Sequence, residues 1–185
     1  AEGGDGMSMM KGYYASFLIA GGAVLMLAAP DNWMLQVVAY AVISGGAVML
    51  QGASRWYFRA GLAADVMIVL TILGGTPVFG PGLAKIVLLY AGDAVRWIMG
   101  CLLFCAFGAV MRAADRSAAP EWVLLAVRSV GCILPILSAV MGLNEALLEQ
   151  VTGLTAVLQP LGCIALLLDA FRAQQQYIRL EVDKT

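Results

Sequence analysis

The sequence predicts an all-α integral membrane bundle of six transmembrane helices arranged as three helical hairpins. Of the 185 residues, 62% are hydrophobic and 12% are charged, whereas charged residues make up about 25% of a soluble domain. The mean hydropathy is +0.87, and the apolar runs approach the roughly 20 residues that a helix needs to cross a bilayer. A water-soluble domain of this size could not bury so much apolar surface. We therefore expect lipid to surround most of the chain.

The chain divides into a polar N-terminal segment (1–12), a six-helix transmembrane domain (13–171) and a polar C-terminal tail (172–185). The first predicted span is Tyr13–Ala29, and the second runs from Trp33 to about Ala53. Between them, the sequence Pro-Asp-Asn is a turn signal, so the two spans should be antiparallel. Each carries a Gly-Gly pair near its middle. Small residues let membrane helices approach closely, which predicts a tight hairpin.

The middle of the chain is harder to divide. The stretch SRWYFRAG is predicted as a loop, and the third span should run from about Leu62 to Thr76, where PVFGPG breaks the helix. The fourth span is predicted at Trp97–Met111. Residues 83–96 form either an interfacial amphipathic helix before it or the first half of one long tilted helix. The charges of this segment favour the interfacial interpretation, because Asp93 and Arg96 form an i,i+3 pair that water tolerates better than lipid.

The last two spans lie between residues 121 and 171 and form the third hairpin. A loose repeat of helix, short turn and helix relates this hairpin to the first one. The cationic loop residues gather on the side of the termini, while the opposite loops carry acidic residues: Asp31, Glu145 and Glu149. The positive-inside rule then places both termini on the cytoplasmic, matrix or stromal side. The membrane would be a bacterial inner membrane, an organelle inner membrane or a thylakoid membrane.

Three ionisable residues are predicted in the same leaflet: Asp65 in span three, Arg128 in span five and Asp169 near the end of span six. A charged side chain at membrane depth usually faces the bundle interior and has a partner. We therefore expect an intramembrane charge cluster in which Arg128 pairs with Asp169 or Asp65. The alternative is that each side chain reaches its own interface separately.

A second candidate site is a pair of helix breaks. Pro135 and Pro160 lie in the middle of spans five and six, and Gln159 adds a polar group beside the second proline. Each proline removes one hydrogen bond within its helix and frees a carbonyl group. Paired broken helices form substrate sites in many transporters. The alternative, which we favour, is that the prolines only bend their helices.

Several functions are excluded or disfavoured by composition. The chain has no histidine and a net charge of −1, so imidazole chemistry is absent and no basic stripe is available for nucleic acid. Soluble catalytic motifs are absent, so we expect no enzyme activity, no metal site and no cofactor, although bound lipids are expected. The four cysteines lie in apolar runs and are expected to pack as small hydrophobic residues.

These observations lead to two functional hypotheses. The first is a non-catalytic multi-pass membrane subunit that packs within and stabilises a larger membrane protein complex, such as a bioenergetic complex. Its partners would be other membrane subunits and lipids. The second is a small transporter or channel with a polar site between helices 3, 5 and 6, centred on Arg128.

Overall fold

The computed structural model of the chain describes residues 5–77, 82–113 and 164–172, together with single positions and pairs between 122 and 161. All regular secondary structure in this part of the chain is helical. The helices are α1 (Asp5–Ala28), α2 (Trp33–Met49), α3 (Arg55–Gly75) and α4 (Leu83–Ala113), and residues 164–172 are also helical. The predicted all-α class is therefore confirmed for the described residues.

Helices α1 and α2 form the tight hairpin that their glycines predicted. The side chain of Asn32 caps α2 by accepting hydrogen bonds from the backbone N–H groups of Met34 and Leu35. A Cβ atom placed on Gly46 would lie 2.6 Å from the carbonyl oxygen of Ala15, whereas one on Gly45 would meet open space. Gly46 thus allows the close contact between α1 and α2, and Gly45 does not take part in it.

Helix α3 begins at Arg55, seven residues earlier than predicted. The Oγ of Ser54 accepts a hydrogen bond from the backbone N–H of Trp56 and caps the helix. The prediction of a loop over SRWYFRAG was therefore wrong after its first residue. The reason is that arginine and tryptophan suit the membrane-interface end of a helix, because their polar ends can reach water.

Helix α4 is one continuous helix of 31 residues. Residues 83–96 are its first half, so the interfacial interpretation of this segment as a separate helix was wrong. The segment contains no proline that would break the helix. The Asp93–Arg96 pair that favoured the interfacial interpretation is present, with 3.6 Å between Oδ1 and Nη1. It does not mark a helix boundary, because α4 continues past both residues.

The four helices run antiparallel in chain order and form a layer. Helix α1 packs on α2, α2 on α3 and α3 on α4, and close backbone packing among these described helices is confined to such neighbours. Tyr57 of α3 meets Phe107 of α4 edge to face, with 6.0 Å between ring centroids. Leu166 and other residues of the 164–172 helical segment belong to the same apolar core.

Two of the described helical stretches are long and apolar enough to cross a membrane: Arg55–Gly75 and Leu83–Arg112. Two further apolar stretches, Gly12–Ala28 and Trp33–Met49, are shorter. Large apolar side chains face outward on all four helices, including Phe17, Leu62 and Leu83. The structure therefore supports membrane association by length and composition, but six spans are not confirmed.

Candidate functional site

Asp65 lies at the midpoint of α3, ten residues from each end of the helix. Its side chain is exposed, and Ser44 of α2 donates a hydrogen bond of 2.7 Å from Oγ to its Oδ1. Because α3 begins earlier than predicted, Asp65 is about 15 Å from either helix end. It is therefore a mid-helix residue and not one near the start of a span.

Asp169 is fully buried in the 164–172 helical segment. Its Oδ1 lies 3.5 Å from Nη1 of Arg172, one turn further along, whose side chain is partly exposed. A buried carboxylate requires a cationic or hydrogen-bonding partner to offset the loss of hydration. Arg172 supplies one from the same helical segment.

The remaining residues predicted for the two sites are Arg128, Pro135, Gln159 and Pro160. The first three lie outside the described residues, so the grouping of Arg128 with Asp65 or Asp169 stays a prediction. Pro160 is described, and it is exposed in a helical conformation. Beside Arg128 in the chain, Ser129 accepts a hydrogen bond of 3.0 Å from the indole Nε1 of Trp97. This bond places residue 129 against the middle of α4.

A crevice that the sequence did not predict lies between α2, α3 and α4, and charged side chains interrupt its mainly apolar lining. Its volume is about 310 Å³. Asp31 and Lys85 line it near the helix ends, while Met67 and Arg96 line it further along α3 and α4. Met67 is eight residues from the end of α3, so the crevice reaches about 12 Å along that helix.

Arg96 is the most constrained charged group of the crevice. Its Nε donates a hydrogen bond of 2.9 Å to the phenolic oxygen of Tyr40, and its Nη1 lies 3.6 Å from Asp93. Tyr40 is fully buried, so the bond holds the guanidinium against the interior of the layer. Arg96 therefore links α2 to α4, two helices that do not pack directly on each other.

Gln36 completes the wall of the crevice on the side of the α1–α2 turn. Its Nε2 donates hydrogen bonds to the carbonyl oxygens of Met26 and Ala29, at 3.2 and 3.0 Å. The last carbonyl groups of a helix have no partner within the helix. Gln36 supplies a partner to the carbonyl group of Met26 and a second one to that of Ala29, which also accepts from the backbone N–H of Asn32. These bonds join the end of α1 to α2.

The opposite end of the layer is basic. The guanidinium groups of Arg55 and Arg59 lie 5.8 and 5.0 Å from the ring centroid of Trp56, within the range of cation–π attraction. Arg112 lies in the last turn of α4, at this same end because α3 and α4 are antiparallel. An arginine–tryptophan cluster of this kind is typical of a membrane interface.

Over the described ranges, no three histidine, cysteine, aspartate or glutamate side chains gather as a metal site would require. The crevice presents two acidic and two basic side chains: Asp31, Asp93, Lys85 and Arg96.

Comparison of the chain with protein-family models, curated proteins and solved structures gives no match. Sequence reasoning singled out Asp93 and Arg96 for their charge but missed the crevice that they line. The available signal was the placement of Lys85, Asp93 and Arg96 in an otherwise apolar helix, which favours a shared polar surface.

Proposed function

We propose that this chain is a non-catalytic multi-pass membrane subunit that packs within and stabilises a larger membrane protein complex. The observation that carries the proposal is the outward-facing apolar surface of the described helices α1 to α4, whose close backbone packing on one another is between chain neighbours. Such a layer has two broad faces, and Ala165, Leu166 and Ala170 of the 164–172 segment belong to its buried core. Neighbouring protein and lipid would cover the outward-facing apolar side chains.

The internal polar contacts agree with a structural role. Gln36 closes the end of α1, Arg96 joins α2 to α4, and Ser44 joins α2 to α3 through Asp65. Each of these bonds connects two helices. Polar side chains used in this way fix the arrangement of helices in a membrane.

In the full proposal, six spans form three hairpins, and both termini lie on the cytoplasmic, matrix or stromal side. The clustering of Arg55, Arg59 and Arg112 at one end of the layer supports this orientation through the positive-inside rule. Lipids would occupy the gaps between this subunit and its neighbours. A bioenergetic complex is one assembly that would need such a subunit.

Native mass spectrometry of the detergent-extracted chain tests the proposal. We expect the chain to be recovered with other membrane proteins at a fixed stoichiometry. Recovery of the chain alone, or with partners in varying ratios, would contradict the proposal.

The second candidate is a small transporter or channel. The crevice favours it, because it reaches about 12 Å along α3 from one end of the layer and its lining includes Arg96. The site first expected for this function lay between helices 3, 5 and 6, centred on Arg128. A transporter reconstituted alone in liposomes would move a solute, and Arg96→Ala or Arg128→Ala would abolish that flux while leaving assembly intact. A structural subunit would show no flux, and the same changes would weaken assembly.

A further inference from the structure

We infer that the exposed face of α3 around Asp65 is the docking surface for a transmembrane helix of a different subunit, and that this helix carries an arginine or lysine at the depth of Asp65. The inference rests on the proposed function and deepens it, because it identifies one contact surface and the chemistry of its partner.

The exposed face of α3 has the spacing of a helix–helix seam. Its positions alternate four and three residues apart, at Phe58, Leu62, Asp65, Val69 and Ile72, and all five are exposed. This is the a/d spacing by which two helices pack side by side with a shallow crossing angle. We call these five residues the α3 seam. Four of them are large and apolar, and the central one is a carboxylate.

Lipid is a poor cover for this seam. Asp65 is about 15 Å from either end of a helix of 21 residues. Long arginine and lysine side chains near a helix end can extend to the headgroups, but Asp65 is short and is far from both ends of its helix. A carboxylate facing hydrocarbon carries a steep energetic cost, so charged side chains at this depth face protein and pair with other groups.

The described part of the chain supplies one hydrogen bond to Asp65 and leaves it exposed. Ser44 donates to Oδ1, and an ionised carboxylate can accept about four hydrogen bonds. Arg59 is on the same helix, but its guanidinium lies over Trp56 near the helix start. The bond from Ser44 holds the carboxylate in place, and a positive charge from outside would complete its surroundings.

A second copy of this chain does not fit the seam. Two copies inserted in the same direction and related by a twofold axis would place the same residues opposite each other. Their Asp65 carboxylates would then meet at the same depth, and like charges in a poorly hydrated interface repel strongly. A partner with a basic side chain reverses the sign of this interaction, so the seam selects a different subunit. A single polar position within an apolar seam also sets the register of the two helices.

Photo-cross-linking in native membranes tests the inference. A photoreactive amino acid is placed at Val69 of the full chain, and the cross-linked adduct is mapped by mass spectrometry. Val38 on α2, which is also exposed, is the control position. We expect the Val69 adduct to lie on a transmembrane helix of another polypeptide, within one turn of an arginine or lysine. In the Asp65→Asn variant its yield should fall roughly tenfold, which corresponds to about 1.4 kcal/mol. Asp31→Asn, which removes a carboxylate at the end of the layer, should leave the yield unchanged.

Several outcomes would overturn the inference. They are an adduct with lipid only, with a second copy, with residues 121–171 of this same chain, or with a helix that has no basic residue nearby. An unchanged adduct yield in the Asp65→Asn variant would also overturn the inference. Poor folding of the variant could only lower the yield, so it cannot produce this outcome. If native mass spectrometry still finds a fixed complex in these cases, the proposed function stands while the docking surface is rejected. If the chain is recovered alone, both are rejected.

Discussion

Tyr40 and Arg96 are 56 residues apart in the chain, and a hydrogen bond of 2.9 Å joins the guanidinium Nε to the phenolic oxygen. Tyr40 is fully buried, while about a third of the Arg96 side chain is exposed. The bond therefore runs from the interior of the layer to the crevice. It holds α4 to α2 across α3, which packs on both.

Replacing Tyr40 with phenylalanine should loosen this link. Tyr40→Phe removes the acceptor of a charge-assisted hydrogen bond and keeps the ring that fills the core, so we expect a loss of about 1 kcal/mol in the free energy of unfolding. Denaturant or thermal unfolding in detergent measures the change. Tyr90→Phe, at an exposed position of α4, is the matched control and should be neutral. Equal stability of the two variants would contradict the structural role of the bond.

The two glycines in the C-terminal part of α2 should respond in opposite directions to the same substitution. Gly46→Ala forces a Cβ against the carbonyl oxygen of Ala15 and the side chain of Ile19, so we expect a loss of about 1–3 kcal/mol from overpacking. Gly45→Ala meets open space and should gain up to about 1 kcal/mol from helix propensity. Unfolding of both variants under identical conditions gives the comparison. Similar changes in the two variants would mean that the α1–α2 contact is not as close as described.

The single amide group of Gln36 makes two hydrogen bonds, so its loss should clearly destabilise the end of α1. Gln36→Leu removes both hydrogen bonds to the end of α1 and leaves two carbonyl groups without that donor, which should cost about 1–3 kcal/mol. Amide hydrogen exchange should show faster opening at the end of α1. Gln51→Leu, at an exposed glutamine in the α2–α3 connection, should leave the exchange of α1 unchanged. A stable α1 end in Gln36→Leu would contradict the role assigned to this side chain.

The alternation of helix directions predicts which positions reach water on each side. Asp31 is in the α1–α2 turn, and Arg55 is at the start of α3, at opposite ends of the layer. In a chain whose native cysteines are replaced, Asp31→Cys and Arg55→Cys should react with a membrane-impermeant thiol reagent from opposite sides of sealed vesicles. Val69→Cys, in the α3 seam, should stay unreactive from both sides. Labelling of the first two positions from the same side would contradict a membrane-crossing α2.

Local signals in the sequence predicted part of this fold. The turn at Pro30-Asp31-Asn32, the glycine pairs and the Asp93–Arg96 pair each depend on residues close together in the chain, and the structure contains all three features. The start of α3 was missed because Arg55, Trp56 and Arg59 have the composition of a loop. Ser54, which caps the helix, is the local signal for its start, and the contacts of Arg55 and Arg59 with the Trp56 ring account for arginines in its first turns.

The candidate sites depended on contacts that a sequence does not display. The Tyr40–Arg96 bond and the crevice bring together three helices, and no periodicity within one helix indicates which residues of another will face it. Asp65 was chosen for its charge, yet its depth followed from where α3 begins. Arg128, Pro135 and Gln159 lie outside the described residues, so their grouping stays a prediction.

The neighbour-by-neighbour packing of α1 to α4 has a consequence for biosynthesis. The close backbone interfaces among α1 to α4 are between segments that leave the ribosome one after the other. Contacts between sequence neighbours form quickly because the intervening connections are short. Each new helix would pack on a helix that is already inserted in the bilayer. Assembly could then proceed one hairpin at a time, well before the last residues are synthesised.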